Sequence, residues 1–154
     1  MPKLDAVPPS RNILTEAKQL GLMPKIHADE IVQLGGAELA AEMEAVSADH
    51  LLQASDKGIH ALAKSGTIAT LLPLTAFSLR EPCARGRYMI DNNCAVALAT
   101  DLNPESCFSE SIPLVFALST LYMGLTAEET VTALTINGAA AIDRANKIGS
   151  IDVG

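Results

Sequence analysis

Apolar and polar positions along this chain follow two periods in turn. Short, nearly continuous apolar or β-branched runs read as strands over residues 24–29, 45–51, 67–73 and 95–100. Between them lie stretches built from good helix formers over 37–45, 55–64 and 85–91, the second closed by Ser65-Gly66. Ahead of the first strand, Ser10 after Pro8-Pro9 is a candidate helix cap. Ile13, Ala17 and Leu20 would form that helix's apolar stripe and Gly21 its left-handed end. Beyond the fourth strand come a loop containing Pro104, an apolar helix around 114–123 and a helix opened by Thr126. Thr126 and Glu129 have the spacing of a capping box, in which hydroxyl and carboxylate each satisfy a backbone N–H. The closing residues, IGSIDVG, read as the start of another element.

Short apolar strands that alternate with helices imply a parallel sheet covered on both faces. The pattern counts to four β/α units, half of a (β/α)₈ barrel. A whole barrel typically needs about 250 residues, and this chain has 154. It is therefore either a smaller α/β domain or, as the count of units suggests, one partial barrel domain over residues 1–154, whose two open sheet edges would favour self-association or a homodimer.

Composition narrows the function. A hydrophobic content of 49% can bury a substantial core, and the formal charge of −7 disfavours nucleic acid, which needs clustered Lys and Arg. No apolar stretch approaches the length of a membrane span, and the first dozen residues have no signal-peptide core, so a cytoplasmic location is expected. Cys83, Cys94 and Cys107 are odd in number and widely spaced, a pattern of reduced thiols rather than of a disulfide framework or a structural zinc site.

The chemistry sits at strand ends. IHADE (26–30), SADHL (47–51) and ATDLNPES (99–106) each place a metal-seeking or proton-handling side chain after an apolar run. In (β/α)₈ enzymes catalytic groups collect at the C-terminal ends of strands. By strand alternation His27 and Asp29 share a face, and His27 is a candidate ligand for zinc or iron. The alternative is a His–Asp hydrogen bond that secures the strand end. His50 could orient an attacking water with Asp49 fixing its tautomer, or could be a satisfied core histidine. Asp101 is costly to bury without a cation or hydrogen bonds, though it could also be a turn residue before Asn-Pro. Asn103 and Ser106 offer an amide and a hydroxyl to a polar substrate. His60, inside a helix, has no assigned role.

With these segments in place, the sequence resembles the imidazolonepropionase family of the metal-dependent amidohydrolase superfamily, over nearly the whole chain from about Leu20. The resemblance rests on KIHADE (25–30), LGGAELA (34–40), AVSADHL (45–51), TIATLLP (67–73), ALATDLNPES (97–106) and TALTINGAAAI (132–142). It implies a hydrolase of histidine breakdown that opens the cyclic amide of 4-imidazolone-5-propanoate to N-formimidoyl-L-glutamate. It also implies His27 and Asp101 as ligands of one zinc or iron ion. Glu30 would be catalytic and in contact with the imidazolone ring, and His50 would stand beside the attacking water. Asp101 would share the proton handling, and Asn103, Glu105 and Ser106 would line the substrate pocket. Another cyclic-amide or deaminating amidohydrolase, or a catalytically inactive half-barrel, are the competing readings. Two departures bear on them. The family's H-x-H ligand pair, and its substrate-binding Arg, Tyr and His from earlier strands, have no counterpart here. The chain is therefore expected to be the C-terminal part of the barrel and to be inactive alone. Glu105 also stands where the family pattern has Gly, adding bulk and negative charge near an anionic substrate.

Overall fold

A computed structural model describes residues 7–151 and 153. Within them four strands form one parallel sheet in the order β1-β2-β3-β4: Lys25–Ala28, Ser47–His50, Ile68–Leu71 and Val96–Leu98. The register carries Ile26 beside Ala48 and Ala48 beside Ala69, with Thr70 beside Ala97. Strand order equals chain order because each strand is followed by at least one helix that returns the chain to the same end of the sheet. This is the arrangement of four consecutive units of a (β/α) barrel. Each strand is shorter than its apolar run, which extends past the strand at both ends.

Helices α1 (Val7–Gln19), α2 (Gly36–Glu42), α3 (Asp56–Ser65), α4 (Pro73–Leu79), α5 (Gly86–Asp91), α6 (Ile112–Tyr122), α7 (Ala127–Leu134) and α8 (Ile136–Ala141) cover the sheet. Local signals behave as the sequence predicts at α3, where the Ser55 hydroxyl accepts from Gly58 N–H and Gly66 closes the helix at φ 77°. The capping box of α7 is complete, with Thr126 Oγ1 accepting from Glu129 N–H and Glu129 Oε2 from Thr126 N–H.

Three expectations are corrected. Ser10 lies inside helix α1, which already includes Val7, so it is not the cap. The helix's stripe is also not buried: Ile13 is 69% exposed, and no residue of the helix is buried. It is held instead by polar side chains, Arg11 to Glu42 at 2.8 Å and Lys18 Nζ to the Met43 carbonyl at 2.9 Å. Pro73 ends no strand but opens α4, because proline fits the first helical turn, where its missing N–H costs nothing. The segment 136–141 inside TALTINGAAAI is a helix of its own.

The core is alanine-rich where α2 and α3 meet the sheet, with Ala28, Ala37, Ala40, Ala48 and Ala69 all buried. Small side chains let these helices approach closely. At Gly36 a Cβ would lie 2.9 Å from the Ala28 Cα, so glycine is required for α2 to start directly over the end of β1. The strand end is thereby fixed against the helix that follows it.

Candidate active site at the strand ends

Left-handed residues stand at the strand ends or just beyond them: Asp29 at φ 49°, His50 at 74° with Leu51 at 61°, and Asp101 at 56°. None is glycine, and non-glycine residues in this region are uncommon and cluster at functional sites. The conformation has a consequence at each position. Strand alternation would put His50 on the face of its register partner Ala28. The turn at His50 breaks that alternation, and its ring meets the ring of His27 edge-on with centroids 4.7 Å apart. His50 Nε2 and His27 Nδ1 are 3.3 Å apart.

Asp29 does not stay beside His27 as alternation predicts. Its carboxylate turns to the start of α2, where Oδ1 accepts from Leu34, Gly35 and Gly36 N–H and Oδ2 from Ala37 N–H, at 2.8–3.1 Å. An anion at a helix N-terminus is favoured by the unpaired N–H groups and the helix dipole. The His–Asp bond across the strand end is therefore not made. Neither does Asp49 hold His50, since its Oδ1 accepts from Ser47 Oγ at 2.7 Å. The partner of His50 is Glu30, whose Oε1 lies 3.5 Å from His50 Nδ1 without the alignment of a hydrogen bond.

His27, Glu30 and His50 thus converge, each offering a ligand atom within 4.8 Å of the others. They line a cleft of about 520 Å³ together with Asp101, Asn103, Glu105 and Ser106. Every residue that the resemblance assigns to the site therefore reaches this cleft. Asp101 belongs to the cleft but stands apart from the three-residue cluster. Its Oδ2 accepts from the buried Thr75 hydroxyl at 2.7 Å. Asn103 organises the loop beyond it. Its Oδ1 accepts from Glu105 and Ser106 N–H and its Nδ2 donates to the Asp101 carbonyl. Sequence reasoning missed Thr75, whose only signal is a hydroxyl two residues after the proline that opens α4.

The electrostatics suit a neutral His50. Only 2% exposed, it has its pKa pushed down chiefly by burial. Glu30 opposes this shift, His27 adds to it, and Asp101 and Asp49 oppose it more weakly. A neutral imidazole is the form that binds a metal or accepts a proton. His50 Nδ1 is buried with no hydrogen-bond partner, and such an atom is expensive to leave unpaired. The His27 imidazole and the Asp101 carboxylate, which line one cleft with Glu30 and His50, are donor types of zinc and iron sites, so the residues present fit a metal. Burial pushes the Cys83 and Cys94 thiols up, against any role as nucleophiles. His60 is exposed and meets Asn92 Oδ1 at 3.0 Å, away from the cleft.

Among known proteins, no family model matches the sequence. The chain is 71% identical over 145 residues to an imidazolonepropionase of Bacteroides fragilis, covering 94% of this chain and 35% of that protein. It is 65% identical over 149 residues to the imidazolonepropionase of Clostridium tetani, covering 97% and 36%. The chain thus spans about a third of the length of the relatives it matches. Among solved structures, a zinc-bound adenosine deaminase from Xanthomonas campestris superposes at TM-score 0.70 with 23% identity, over 94% of this chain and 38% of that one. A guanine deaminase from C. acetobutylicum superposes at 0.73 with 14% identity, over 94% and 40%. At such identities the superpositions show the fold alone, that of the part of each deaminase the chain covers.

Proposed function

The chain is a segment of the imidazolonepropionase family, about a third of its relatives' length, and from that premise we propose that it supplies part of an active site that hydrolyses 4-imidazolone-5-propanoate to N-formimidoyl-L-glutamate. The observation that carries this reading is the convergence of His27, Glu30 and His50 in a cleft shared with Asp101, Asn103 and Ser106. His27 and Asp101 are the proposed ligands of a zinc or iron ion, with His50 and Glu30 within reach. A bound ion would polarise the amide carbonyl and lower the pKa of its water to about 7. The chain's own residues divide the remaining work. Neutral His50 orients the water. Glu30 carries a proton to the ring nitrogen as the C–N bond breaks and the new C–O bond forms. Asn103 holds the loop that presents Ser106 to the substrate.

Among the described residues the cleft is lined by Glu30, Asp101 and Glu105 and by no Lys or Arg. It therefore provides nothing to neutralise a propanoate tail, in keeping with the missing arginine of the family pattern. We propose accordingly that this chain turns over little by itself, and that the complete site belongs to a cytoplasmic enzyme. The test is elemental analysis of wild type and His27→Ala, with imidazolone hydrolysis assayed in the same samples. Near-stoichiometric zinc or iron, lost in the variant, is expected. Equal metal in both proteins would remove His27 from the ligand set.

The sheet also supports association. Among the described residues β1 and β4 each pair with a strand on one side only, although Asn137 Nδ2 already donates to the Val96 carbonyl of β4, and an unpaired strand edge recruits further strands. A species larger than a monomer is expected in size-exclusion chromatography of this chain, and a monodisperse monomer would refute that.

A further inference from the structure

One buried polar side chain serves the cleft without lining it. Thr75 lies in the first turn of α4, only 2% exposed, and commits its hydroxyl proton to Asp101 Oδ2 at 2.7 Å. That is the length of a charge-assisted O–H···O⁻ bond. The two residues belong to neighbouring units. Helix α4 follows β3 and Asp101 follows β4, strands paired from Ala69↔Val96 to Leu71↔Leu98. Asp101 itself sits at φ 56° in a loop three residues beyond β4, so the strand does not dictate where its carboxylate points. The hydroxyl of Thr75 does.

We propose that Thr75 is a positioning residue that holds Asp101 in place as a one-oxygen ligand. With Oδ2 occupied by the hydroxyl, Oδ1 is the oxygen available to a cation beside His27, Glu30 and His50. Pinning one oxygen also restrains the carboxylate from rotating away from the cleft and weakens Oδ2 as a competing donor to the cation. Hydrogen-bond partners of metal ligands orient them in this way, and their removal typically weakens metal binding about 10–100-fold. Valine has threonine's shape without its donor, and serine keeps the donor, so the substitutions separate the hydroxyl from the packing.

The inference rests on the reading of Asp101 as a ligand, and the experiment separates the two. Zinc dissociation constants would be measured by chelator competition for wild type, Thr75→Val, Thr75→Ala, Thr75→Ser, Asp101→Ala and the double variant T75V/D101A. The melting temperature of each metal-free protein would be recorded alongside. Expected are a weakening of about 10–100-fold for T75V, affinity within about threefold of wild type for T75S, and no further loss when T75V is added to D101A. Unchanged zinc affinity in D101A would refute Asp101 as a ligand, and the positioning role with it. Weakening in D101A but not in T75V would overturn the role of Thr75 alone. Additional weakening by T75V in the D101A background, or failure of both T75V and Thr75→Ala to fold, would assign Thr75 to packing and overturn the proposal.

Discussion

Asp29→Ala is expected to destabilise the fold by about 3–5 kcal/mol, a large share of the roughly 5–15 kcal/mol that a domain of this size has in total. One carboxylate accepts four backbone N–H groups, from Leu34 to Ala37, while the residue is only 7% exposed. Alanine would leave these donors unpaired next to the packed start of α2. Water could repair part of the loss at Leu34, which lies on the surface, but not at the buried Ala37. Removing the anion also forfeits its attraction to the helix N-terminus, worth about 0.3–1 kcal/mol. The substitution Asp29→Asn keeps one acceptor oxygen but points an amide donor at the Ala37 N–H, so an intermediate loss of about 2 kcal/mol is expected. Urea denaturation of the two variants measures both losses. A loss below about 1 kcal/mol for Asp29→Ala, less than one unsatisfied buried group should cost, would show that the loop repacks around the missing carboxylate.

The same residue shows where sequence reading stops. The strand ends are legible because three apolar runs in succession finish in His, Asp or Glu, although each such residue taken alone also has a structural explanation. IHADE, SADHL and ATDLNPES did supply the side chains that meet in the cleft. Strand alternation misassigns Asp29, which it places beside His27, and sequence adjacency misassigns Asp49 as the partner of His50. A left-handed φ at Asp29 and at His50 depends on loop closure and helix packing, and no two-residue period encodes it. Asp29 therefore caps α2, and His50 meets Glu30 and His27 rather than Asp49. Thr75 was invisible for a related reason, since its partner is 26 residues away and joined to it only by strand pairing. The stripe on α1 failed differently. Helical spacing identifies an apolar face without saying what buries it, and Ile13 and Leu20 are exposed among the described residues.

Glu30→Gln is expected to lower the hydrolytic kcat of the complete enzyme about 10²–10⁴-fold, the usual worth of a positioned proton carrier, while leaving its metal content intact. Glu30 is suited to this role by its surroundings. It is only partly buried and lines the cleft, so its carboxylate can face the reacting ring, and its Oε1 stands 3.5 Å from His50 Nδ1. The substituted amide would preserve the shape and the contact with His50 but could not carry a proton between water and the leaving nitrogen. It would also remove the strongest influence that raises the pKa of His50, leaving burial less opposed. His50 would then stay neutral to lower pH, so no loss of metal through protonation of that histidine is anticipated. Comparing zinc or iron content with kcat for E30Q distinguishes the possible roles. Retained metal with a kcat loss of at least about a hundredfold identifies a proton carrier. Metal lost in proportion to activity would make Glu30 a ligand, and unchanged kcat would transfer the proton work to Asp101, the other carboxylate in the cleft that can reach His50 electrostatically.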